Sequence, residues 1–126
     1  MSGTPFVYFA TVSSAYDGDT VTLDMDLGFK IKHQIKCRLG GIDTPELRGG
    51  TVETKTAGKA ARDHTRERVL GKRVLVHTKK DSKGKYGRYL AVIFPLDADG
   101  APVSESLNDE LIRLGHAKPY FGGKRS

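Results

Sequence analysis

VTLDMDLGFKIKHQIKCRL, residues 21 to 39, decides the fold. Val21, Leu23, Met25 and Leu27 alternate with Thr22, Asp24 and Asp26. Ile31, His33, Ile35, Cys37 and Leu39 then alternate with Lys32, Gln34, Lys36 and Arg38. A period of two is the signature of a strand with one buried and one solvated face. The DLGF between the two runs reads as a hairpin turn around Gly28. Outward from this hairpin, Phe6 to Tyr16 forms a strand before it. Arg73 to Lys80 (RVLVHTKK) and Tyr89 to Leu96 (YLAVIFPL) form two after it, with Pro95 marking an edge or an end.

Two segments carry helical spacing instead. Thr56 to Leu70 is rich in Ala, Arg and Glu, sets Ala57, Ala60, Ala61, His64 and Arg68 along one side, and stops at Gly71. Ser104 to Leu114 places Leu107, Leu111 and Leu114 on one face, with Ser104 as its N-cap and Gly115 past its end. DADG at 97–100 is the turn before it. Three strands, a helix, two strands and a helix is the order of a five-stranded Greek-key barrel of the OB type. The expectation is an α+β chain, mainly β, with two to three helices in a single domain over residues 1–126, its core about 6–120.

A net charge of +6 and a pI near 9.5 favour a polyanionic partner, nucleic acid before membrane. No apolar run approaches the roughly 18 residues of a membrane helix. The stretch MSGTPFVYFATVSSAYDGD has no basic region followed by an apolar one, so no signal peptide is read there. As numbered the chain reads as cytoplasmic, or as secreted if a leader has been removed. Cys37, the single cysteine, falls on an alternating strand and reads as a small core residue. His33, His64 and His77 read as packed or solvated rather than as metal ligands.

The charges are unevenly placed. Acids gather at 17–26 and 43–53, bases at 30–38, 79–88 and 118–125. An acidic pocket within a basic surface suits a metal held beside a phosphate. DGDT at 17–20 puts two carboxylates in a tight turn, where they are either polar turn residues or oxygen ligands for a hard cation. CRLGGIDTPE at 37–46 adds one cation, Arg38, and two further carboxylates, Asp43 and Glu46. Pro45 forces an extended conformation on Thr44 and so exposes its carbonyl. KYGRYL at 85–90 supplies Arg88 after a Tyr-Gly turn. A guanidinium fork matches phosphate oxygens bidentately.

DGDT, RLGGIDTPE, KYGRYL and LNDELIRLGHA occur in that order, and together they resemble the staphylococcal nuclease (thermonuclease) family over roughly residues 7 to 120. The resemblance implies an OB-type barrel and Ca2+-dependent hydrolysis of DNA and RNA phosphodiesters, with the 5′ oxygen leaving to give 3′-phosphate ends. Carried over by motif, Asp19 and Asp43 match calcium carboxylates, Thr44 offers its carbonyl, and Asp17 lies in the outer shell. Glu46 matches the general base, and Arg38 and Arg88 match the phosphate-binding arginines. Lys85 and Tyr86 match contacts to a terminal phosphate, and Tyr120 aligns with an aromatic beside the base. The family usually carries an acid just before KYGR, where this chain has Gly84. The implied enzyme is a monomeric endonuclease of weak sequence selectivity that prefers single-stranded or frayed strands. A catalytically silent OB-type nucleic-acid-binding module is the alternative.

Overall fold

The computed structural model describes residues 6–45, 47, 50–80 and 89–120. Five strands close a barrel in the order β1-β2-β3-β6-β5: β1 (Phe6–Asp17), β2 (Thr20–Asp26), β3 (Lys32–Leu39), β5 (Arg73–Lys80) and β6 (Tyr89–Pro95). Four of the five pairings are antiparallel, and β3 with β6 is parallel. The barrel closes because β1 serves two neighbours, pairing with β5 over Phe6 to Thr11 and with β2 over Ala10 to Asp17. Irregularities between Val12 and Ser14 and between Ala15 and Asp17 bend it from one partner to the other. The first of them shifts the inward parity, so that Ala10, Val12 and Ala15 are all buried. Val21, Leu23, Met25, Cys37, Leu39, Val74, Val76, Ala91 and Ile93 fill the interior with them. Cys37 is thus the expected core residue, its thiol pushed up by burial to about 12.

Helix α1 (Val52–Val69) packs across β1. It begins a turn earlier than the sequence pattern indicates, because Thr51 caps it by accepting from the Thr54 amide. Its buried face is Gly58, Ala61, Thr65 and Val69. Of the residues that spacing sets along one side, Ala61 is buried while Ala57 and Ala60 are exposed. Helix α2 (Leu107–Arg113) is shorter than expected and is capped by Ser106, not Ser104. The register of the apolar residues decides this: Leu107 and Leu111 join the core, while Leu114 is exposed.

The buried amide of Asn108 knits α2 to the barrel. Its nitrogen donates to the Gly40 and Ala91 carbonyls at 2.8 and 3.0 Å, and its oxygen accepts from the Ile93 amide at 3.2 Å. These bonds satisfy backbone groups where the chain leaves β3. It then enters a two-stranded ribbon absent from the sequence reading, β4 (Ile42–Asp43) with β7 (Lys118–Pro119).

The β2–β3 hairpin projects beyond the barrel. Ile31 and His33, inward by alternation, are exposed, as is Leu27. The turn bends through three consecutive residues of positive φ, Gly28, Phe29 and Lys30.

Candidate active site

The site begins at the two-residue turn between β1 and β2. Asp17 accepts from the Asp19 amide at 3.1 Å, which curls the turn and brings both carboxylates to one side. The turn is held from two directions. From α1, Thr65 Oγ1 donates to the Gly18 carbonyl at 2.9 Å, and Arg66 Nε donates to the Ala15 carbonyl at 2.9 Å. From β3, the Leu39 amide donates to the Asp19 carbonyl at 2.7 Å. Gly18 permits this closeness, since a Cβ there would lie 2.8 Å from Ala61 Cβ and 2.9 Å from Thr44 Cγ2.

Arg38 reaches the same place through strand register. It sits opposite Thr20, immediately past the turn. Its Nη2 lies 3.0 Å from Asp43 Oδ1 and 3.6 Å from Asp19 Oδ2, so one guanidinium nitrogen spans both carboxylates. The β4–β7 ribbon delivers the remaining parts. Asp43 pairs with Lys118 in that ribbon, and the Tyr120 amide donates to the Gly41 carbonyl at 2.8 Å. The Tyr120 ring lies against the Arg38 guanidinium, 5.2 Å from centroid to carbon. Thr44, which is buried, turns its amide onto Asp19 Oδ2 at 3.2 Å.

Asp19 is only 7% exposed. Burial, reinforced by the neighbouring Asp17 carboxylate, pushes its carboxyl above the ordinary value, and the Thr44 amide and Arg38 only partly offset this. The side-chain donors gathered here, the carboxylates of Asp19 and Asp43, are all oxygens. Such a set fits a hard divalent cation such as Ca2+. Among the described residues no three His, Cys, Asp or Glu side chains converge as a ready-made cage.

Thus Asp17, Asp19, Arg38, Asp43, Thr44 and Tyr120 come together as one constellation. Glu46, Lys85, Tyr86 and Arg88 lie outside the described residues. His116 is not part of the constellation: its ring stacks on His64 at 5.2 Å, where α1 meets α2. Gly18, Ala61 and Thr65 are supporting residues that the sequence reading missed. No local pattern marks them, since their roles arise from contacts between α1 and the turn.

Fold and site together define an OB-type barrel bearing an arginine-clamped carboxylate pair at the turn between its first two strands. A family model described as Staphylococcal nuclease homologue matches residues 36–126, and the chain belongs to that family. The matched span includes Arg38, Asp43, Thr44 and Tyr120; Asp17 and Asp19 precede it.

Among curated relatives, a thermonuclease of Staphylococcus intermedius is 32% identical over 87% of this chain and 58% of its own length. One of Staphylococcus hyicus is 30% identical over 83% and 55%. An uncharacterised protein of Methanocaldococcus jannaschii is 30% identical over 90% and 60%. The chain therefore spans somewhat over half the length of the curated relatives it matches. Among the described residues no helix is long and apolar enough to cross a membrane.

Proposed function

We propose that this chain is a Ca2+-dependent nuclease that hydrolyses DNA and RNA phosphodiesters, the 5′ oxygen leaving so that 3′-phosphate ends result. The observation that carries the reading is the single Arg38 nitrogen held between Asp19 and Asp43. It supports the reading because a guanidinium suited to phosphate and carboxylates suited to a metal lie side by side. Asp19, Asp43 and the Thr44 carbonyl would hold the ion, with Asp17 ordering the turn behind them. When bound, Ca2+ supplies charge neutralisation at a phosphate oxygen.

The protein's own groups account for the rest of the chemistry. Arg38 exchanges its bond to Asp43 for one to a phosphate oxygen. Both are charge-assisted and worth about 1.5–3 kcal/mol, so the exchange is close to neutral in the ground state. As charge builds on the equatorial oxygens, the bond to phosphate strengthens, which is where a catalyst needs it. Glu46 orients and deprotonates the attacking water, and Arg88 holds a second oxygen. Lys85 and Tyr86 contact a terminal phosphate, and Tyr120 lies beside the base. Cleavage is weakly sequence-selective and favours single-stranded or frayed substrates, whose bases can splay. The protein acts as a monomer.

Glu46→Gln tests this reading. It keeps the side chain's size and leaves the proposed ion ligands in place. Its kcat on single-stranded DNA in saturating Ca2+ should fall by on the order of 10²–10⁴ while nucleotide affinity persists. Wild-type activity should vanish in chelator. Binding without cleavage by the wild-type protein in Ca2+ would establish the silent-module alternative instead.

A further inference from the structure

On β3 the inward residues are Cys37 and Leu39, so Lys32, Gln34, Lys36 and Arg38 share the opposite, outward face. Lys30 lies in the turn that precedes the row and is exposed, and Phe29 beside it is 96% exposed. Adjacent members of the row stand roughly 6.6 Å apart, and Lys32 lies about 20 Å from Arg38 along the strand. Among the described residues none of Lys30, Lys32 and Lys36 closes an ion pair. Asp26, opposite Lys32 in the β2–β3 register, accepts from Arg73 at 3.1 Å and also feels the Lys32 charge, while Asp24 accepts from Gln34 at 3.1 Å. Lys36 lies over the exposed ring of Tyr16, 5.6 Å from its centroid.

From this row we propose that the outward face of β3 is a track for single-stranded nucleic acid, running from Arg38 at the cleavage site to the hairpin tip. The proposal rests on the nuclease reading of that site. Charge complementarity selects a polyanion, and continuity with Arg38 selects the strand being cut. A single row of cations is one backbone wide, which suits a single strand better than a duplex. Its length matches a footprint of about 4 nucleotides, the lower end for OB barrels. Phe29 offers its ring to stack a base at the far end. The three positive-φ residues Gly28, Phe29 and Lys30 form the turn that carries this ring, and its 96% exposure leaves both faces open.

The test compares wild-type protein with the triple variant K30Q/K32Q/K36Q on a dinucleotide substrate and on an oligothymidylate of about 12 nucleotides. The substituted positions are exposed, so the thermal midpoint should hold and serves as the folding control. Turnover of the dinucleotide should be unchanged. Kd for the long strand should weaken on the order of tenfold at low salt. The salt slope should fall by about 2, since each phosphate that a lysine neutralises on a single strand adds roughly 0.7 to it.

Phe29→Ala should weaken the long strand alone, by about tenfold. Unchanged long-strand affinity in the triple variant, or equal losses on both substrates, would overturn the track. Lysine-dependent sedimentation with phosphatidylserine vesicles, alongside unchanged oligonucleotide affinity, would overturn it in favour of a membrane surface. If the wild-type protein cuts neither substrate yet binds the long strand through these lysines, the nuclease reading fails and the track stands.

Discussion

Gly18→Ala perturbs the one position where helix, turn and Thr44 come closest. Gly18 does not occupy the left-handed region, so alanine is acceptable to its backbone and the requirement is one of space. The added methyl would lie 2.8 Å from Ala61 Cβ, 2.9 Å from Thr44 Cγ2 and 3.2 Å from the Ala61 carbonyl carbon. Side-chain rotation relieves at most the Thr44 clash. Ala61 has no rotamers and its backbone lies inside α1, so α1 or the turn must shift.

Overpacking of this kind costs about 1–3 kcal/mol, while alanine recovers about 0.4–1 kcal/mol by restricting the unfolded chain. The net loss is roughly 1–2 kcal/mol, or roughly 4–8 °C in Tm for a domain of this size. Moving the turn also stretches the 3.2 Å bond from Thr44 to Asp19, so Ca2+ should raise the variant's Tm less than the wild type's. Thermal unfolding followed by circular dichroism, in chelator and in Ca2+, reads both effects. Ala61→Gly removes the worst clash. The double variant should then be less destabilised than the sum of the single ones, by at least about 0.5 kcal/mol. Strict additivity, or a Gly18→Ala protein as stable as the wild type, would refute the packing account.

Two further predictions rest on titrating groups. Burial and then Asp17 raise the carboxyl of Asp19 above its ordinary 3.8, so its contribution to stability is present below that value and lost as pH rises through the higher folded one. Asp19→Asn should therefore raise Tm at neutral pH in chelator, with the gain disappearing in acid. It should also abolish calcium stabilisation, which for the wild type reaches about 2.7 kcal/mol at 100 times Kd. A variant that is less stable in chelator at neutral pH would contradict the electrostatic account. Glu110 behaves in the opposite way. Burial works to raise its carboxyl, but hydrogen bonds from His64 (2.5 Å) and Arg68 (3.0 Å) outweigh it and hold the group below the ordinary 4.5. Its contribution is present above 4.5 and lost as pH falls through the lower folded value. Glu110→Gln should cost about 1–3 kcal/mol at neutral pH and progressively less in acid, measured by urea unfolding. An equal loss at both pH values would remove this α1–α2 linkage from the account.

Much of the barrel was legible because strand alternation is a local property. Val21 to Leu39 announced both strands and their turn, and a hairpin turn sets register, so Arg38 opposite Thr20 follows from the chain alone. The same register brings Arg38 beside the DGDT turn, and half of the site is thus a consequence of one hairpin. Errors arose where local patterns were satisfied more than once. Ser104 and Ser106 are both capping residues, and only the burial of Leu107 and Leu111 selects Ser106. Ala57 and Ala61 are equally apolar, and only the packing of α1 on β1 exposes one and buries the other.

The rest depended on segments distant in sequence. Asp43 meets Arg38 from the β4–β7 ribbon, whose partner strand lies some seventy residues on, and two-residue strands carry no periodic signal. Tyr120 reaches Arg38 only through that ribbon. The need for glycine at 18 arises from Ala61 and Thr44, residues that no reading of DGDT contains. Alternation and caps are enforced between neighbours along the chain, and so they are written in it. Close approach, the depth at which Asp19 is buried, and the sharing of one guanidinium by two carboxylates are enforced across space. Only the closed barrel decides them.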